Sequence, residues 1–147
     1  MLSSLLRKLT GESADEALTR DESRVAVAAL LVIAAHADHK YEDVERMQIE
    51  RALAARYGID AAAAAALRAE GEEAERASMD LYRFTSRVKQ HIPHEERAAV
   101  IEAMWRVALA DGERDKHEET LMRRVTDLLG LDPRDSIEAR RRVEAGG

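Results

Sequence analysis

Acidic residues crowd one short stretch of the chain. In ALADGERDKHEE, Ala108 to Glu119, an apolar run breaks into Asp111, Glu113, Asp115 and Glu118. Carboxylates so spaced can hold a hard divalent cation through oxygen, or cap the helix that follows by accepting its free amides. Asp115 is placed to cap, and Glu118, three residues on, reaches back in the manner of a capping box. Capping explains Asp111 less well, because an acid at the C-terminal end of a helix faces the negative pole of its dipole. Asp38 stands in the same unfavourable place after another apolar run, in AAHADHKYEDVE. Coordination and capping both remain open on these residues.

Histidine adds a second chemistry. His36 and His39 flank the first turn, His117 lies in the second, and His91 and His94 form HIPH. A site of His36, Asp38 and His117 would suit zinc or another transition metal if the three converge. Pro93 keeps the HIPH pair from sharing one helical face. An EF-hand loop beginning at Asp111 fails, since Lys116 and Met122 stand where it needs glycine and glutamate. No zincin, di-iron, phosphate-loop, serine-hydrolase or dinucleotide pattern is found, and the absence of cysteine removes thiolate chemistry.

The elements that position these residues read as helices throughout. Apolar residues recur three and four apart, with two prolines, seven glycines and no β-branched alternation. Capping patterns at Thr19 to Glu22 and Asp115 to Glu118, Asp132 before Pro133, and glycine stops at Gly58 and Gly130 set the boundaries. They predict helices near 2–9, 20–37, 43–57, 61–76, 79–91, 94–110, 116–129 and 133–144. VAVAALLVIAA and AVIEAMWRVALA are apolar nearly all round and belong in the middle of a bundle. Val100, Ile101, Met104, Trp105 and Ala108, with Leu81, Phe84 and Val88, are core candidates. The alanine-rich stretch from Ala61 can lie close against a neighbour, and Arg140 to Arg142 suit the negative end of the last helix.

A weak internal repeat links the two turns. AAHADHKYEDVERMQIERALAARYGID lies over VALADGERDKHEETLMRRVTDLLGLD, pairing Asp38 with Asp111, Glu42 with Asp115 and Glu45 with Glu118 at one constant spacing. Each copy is a helix, an acidic turn, a second helix and a closing glycine. The chain therefore reads as all-α: a compact single-domain bundle of seven to eight helices with an internal pseudo-two-fold repeat of helix, acidic turn, helix hairpins. Residues 1–19 read as an N-terminal amphipathic helix and linker, and 20–147 as the domain.

With 147 residues, one core is expected. Twenty-nine acids against twenty-three Lys and Arg give a charge of −6, the wrong sign for a general nucleic-acid or anionic-membrane binder. Val25 to Ala35 is too short to span a bilayer, and the opening segment lacks a signal-peptide core. These features predict a cytoplasmic protein with neither membrane insertion nor nucleic-acid binding.

VIAAHADHKYEDVE, DLYRFTSRVKQHIPHEERAAVIEAMW and MWRVALADGERDKHEETLMRRVTDLLGL together resemble the TerB-like family associated with tellurite resistance. The resemblance runs from about Arg20 to Arg141, and its Ala-Asp-Gly turn with a following Glu stands intact at Ala110, Asp111, Gly112 and Glu118. It implies a helical, mostly cytoplasmic bacterial protein of a stress or metal response, acting near membrane-linked complexes through an acidic, cation-binding patch. That patch would comprise Asp38, Glu45, Asp111 and Glu118, with Glu42, Asp115, His36 and His117 as further donors, and magnesium or calcium ahead of zinc. His39 departs from the pattern, standing where the second turn has Gly112. The function so implied is non-enzymatic, with a protein partner. Its rivals are a metal-free interaction module using the acidic face, and a metal-assisted enzyme with Asp38 or Asp111 as base.

Overall fold

A computed structural model describes residues 14–38, 41–78, 80–110 and 116–146, and among them there is no strand. The helices are α1 (Ala14–Ala35), α2 (Asp43–Tyr57), α3 (Ala61–Ala77), α4 (Leu81–His91), α5 (His94–Ala108), α6 (Lys116–Leu128) and α7 (Pro133–Gly146), with a 3-10 turn, His36–Asp38, closing α1. The helix predicted at 2–9 and the N-terminal linker lie largely outside the described residues.

Local chemistry accounts for most boundaries. The Asp60 carboxylate accepts the Ala63 amide at 2.8 Å and opens α3. Asp80 accepts from Arg83 and starts α4 two residues later than the sequence suggests. Asp132 accepts the Arg134 amide at 2.9 Å while its own amide donates to Asp135 at 3.0 Å, a reciprocal cap around Pro133. Gly58 and Gly130 take left-handed backbone at φ 61° and 73°, and the next amides, of Ile59 and Leu131, bond back to Ala54 and Thr126. Both helices thus end in the same six-residue closure.

Two expectations are corrected. Thr19 does not open α1, which starts at Ala14 and runs through it; the preceding helix formers carry the helix past a capping signature. Arg140 to Arg142 do not sit at the end of α7, which continues to Gly146. Arg140 instead pairs with Glu119 at 3.0 Å and lies 4.7 Å over the Trp105 ring, while Arg142 pairs with Glu102.

The core is organised around α1. Every residue from Ala26 to Ala35 is at most 2% exposed, as an all-round apolar helix requires, and α3, α4, α5 and α6 all pack on it. Against α3 the approach is set by Gly71, where a Cβ would fall 2.7 Å from the Ala28 backbone. Val100, Ile101, Met104, Trp105 and Ala108 of α5 and Phe84 and Val88 of α4 are buried, as expected of them. The Trp105 indole donates to Ser136 at 3.0 Å, fastening α7 to α5.

Candidate functional site

The first acidic turn begins where α1 leaves the core. After Ala35 the chain tightens into the 3-10 turn, and Tyr41 and the exposed Glu42 lead into α2. Glu42 stands at the N-cap in extended backbone with no side-chain cap bond, so the capping role it shares by repeat with Asp115 is not made here. Three residues on, Glu45 turns inward and is 2% exposed, heading a stripe that continues through Ile49 and Leu53. The i, i+4, i+8 spacing puts a carboxylate where an apolar residue would ordinarily stand.

The second turn itself, residues 111–115, lies outside the described residues; the chain leaves α5 at Ala108, and α6 is described from Lys116. Glu118 is again 2% exposed and heads a stripe through Met122 and Thr126. Asp111, Asp115 and His39 lie outside the described residues, as do the side chains of Asp38 and His117. Glu45 and Glu118 both have interaction partners, as buried carboxylates require.

The fold brings the two halves into contact. The 3-10 turn of the first packs on α6 of the second, α2 packs on α5, and α1 meets both α5 and α6. The α1–α6 and α2–α5 contacts are the pair that a two-fold relation between the hairpins would exchange. Among the described residues no three His, Asp or Glu side chains form a metal-holding group.

A network not foreseen from the sequence braces the first turn. The His36 and Tyr41 rings lie 4.7 Å apart, tilted by 40°, and the Arg46 guanidinium sits 4.5 Å from the Tyr41 ring. Burial first, and then the Glu72 carboxylate, pushes the Tyr41 phenol well above its ordinary range, with Arg68 opposing. Arg68 in turn bonds Glu50 at 2.7 Å and Glu72 at 2.8 Å, tying α2 to α3. Nothing in sequence spacing joins position 41 to 68 or 72. The remaining histidines serve elsewhere: His94 contacts the Gly130 carbonyl at 3.1 Å, and His91 is exposed at the end of α4.

The described residues form a helical bundle in which α2 and α6 each carry an inward glutamate near their first turn. A family model described as tellurite resistance protein TerB matches residues 24–141, and the chain belongs to the TerB family. No curated protein and no solved structure gives a match. Among the described residues no helix is long and apolar enough to cross a membrane.

Proposed function

We propose that this TerB domain is a non-enzymatic cytoplasmic module that binds a divalent cation between its two acidic turns. Asp38, Glu45, Asp111 and Glu118 supply the oxygens, with Glu42, Asp115, His36 and His117 at the margin. The observation that carries the reading is the pair of glutamates at equivalent repeat positions, each 2% exposed. A carboxylate is a costly occupant for the head of an apolar stripe, and having it there twice favours a role for its charge. Packing of the first turn on α6 supports a site shared between hairpins.

The donor set is all oxygen at its centre, which suits magnesium or calcium better than zinc. A bound cation would neutralise the clustered charge and stiffen one hairpin against the other. Through the family's association, the process served is a response to tellurite or metal stress, with a protein partner near a membrane-linked complex reading the occupied state.

Amide NMR titration of metal-free protein with magnesium, calcium and zinc tests this. Saturable shifts concentrated in residues 36–46 and 109–119, weakened in Asp111→Asn, are expected. Shifts spread evenly over the surface, or unchanged by the substitution, would reject a shared site.

A further inference from the structure

Two arginines on neighbouring helices converge on one ring. The Arg24 guanidinium, from α1, lies 4.7 Å from the centre of the Tyr57 ring, and that of Arg56, in the last turn of α2, lies 5.6 Å from it. All three side chains are half-buried. The Nε of each arginine is enclosed without a hydrogen bond, and the enclosed Tyr57 hydroxyl finds no acceptor for its proton. Neither guanidinium makes an ion pair among the described residues. The nearest acids in sequence do not serve them: Asp21 is exposed, and Asp60 accepts the Ala63 amide.

This sets the pair apart. The other half-buried arginines among the described residues, Arg46, Arg68, Arg87, Arg97 and Arg140, each bond a carboxylate or a carbonyl. In a chain with more acids than bases, two enclosed donors without an acceptor, held as like charges against one ring, are costly unless an anion completes them. We infer that Arg24 and Arg56 bind a small oxyanion, phosphate or the phosphoryl group of a larger molecule, where α1 passes the end of α2. Guanidinium forks match pairs of oxygens on such a group, and stacking on a ring leaves their in-plane donors free. Two cations balance the charge of about −1.5 to −2 that a phosphoryl group carries near neutral pH, where a carboxylate would leave one unmatched. The exposed apolar side chains of α2, Val44 and Met47, lie towards its other end, so the arginines do not border an apolar surface on that helix of the kind a protein partner would cover.

Inorganic phosphate titrated into the full chain at fixed ionic strength, with the arginine Nε–H signals followed by NMR, tests the site. Saturable shifts at Arg24 and Arg56, with Arg68 and Arg97 unmoved, are expected. Arg24→Gln and Arg56→Gln should each weaken phosphate binding by about tenfold or more. Arg56→Lys, which keeps the charge and loses the fork, should fall between. Helicity measured on every variant separates lost binding from lost fold. Glycerol 3-phosphate binding as tightly as phosphate would assign the site to the phosphoryl group of a larger molecule, and its exclusion with phosphate retained would assign it to the free anion. Shifts that grow without saturating, that appear at all exposed arginines alike, or that persist unchanged in both glutamine variants would overturn the proposal.

Discussion

Tyr41 shows how much one side chain near the first turn is governed by its surroundings. Its phenol is raised above the ordinary 10.0 mainly by burial, and Tyr57 is raised by burial too, with Arg56 and Arg24 working the other way. Below pH 10 the phenols are protonated in folded and unfolded chains alike, so their contribution to stability is fully present. Above it the unfolded chain releases protons that the folded chain retains, and stability falls as pH rises. Urea melts should therefore give a midpoint that declines beyond pH 10, with a shallower decline in Tyr41→Phe. Identical declines in the two proteins would show that Tyr41 is not a source of the effect. Glu45 and Glu118 belong to the same scale: the sequence pairs them as repeat equivalents but presents Glu118 as a capping residue, and their burial is a finding of the structure. The partners of Tyr41 were not legible in the sequence, because they lie on another helix.

Between elements, the decisive contact is the close approach of α1 and α3. Alanine at position 71 would favour the isolated helix by about 1 kcal/mol. Its Cβ would meet the Ala28 backbone at 2.7 Å, and backbone cannot yield as a side chain can. Gly71→Ala should thus destabilise by about 1–3 kcal/mol in chemical denaturation, the overpacking outweighing the propensity gain. A stabilised variant would mean that the helices part without cost. Most helix limits could be read from the sequence because caps are local: Asp60, Asp132, Gly58 and Gly130 act within a few residues of themselves. The start of α1 could not, since a capping signature at Thr19 competes with helix formers on both sides. Nor could the convergence of Arg24 and Arg56 on Tyr57, which depends on how α1 passes the end of α2.

For the molecule as a whole, α1 packs on both helices of the second hairpin, and the cation binding proposed above should register as global stability. At a hundredfold excess of magnesium over its dissociation constant the gain is about 2.7 kcal/mol. For a chain of this length that raises the melting temperature by roughly 5–10 °C. Glu118→Gln should lose most of that increment, and sodium at matched ionic strength should not reproduce it. Equal increments in both proteins would remove Glu118 from the site. The burial of α1 also bears on how the chain is made. Residues 26–35 are covered by helices that follow them in sequence, the last of these, α6, extending to Leu128. At about 5–20 residues per second, synthesis leaves that apolar segment without its full cover for roughly 5–20 s. The longest continuous buried run among the described residues is thus the one most in need of protection while the chain is still being made.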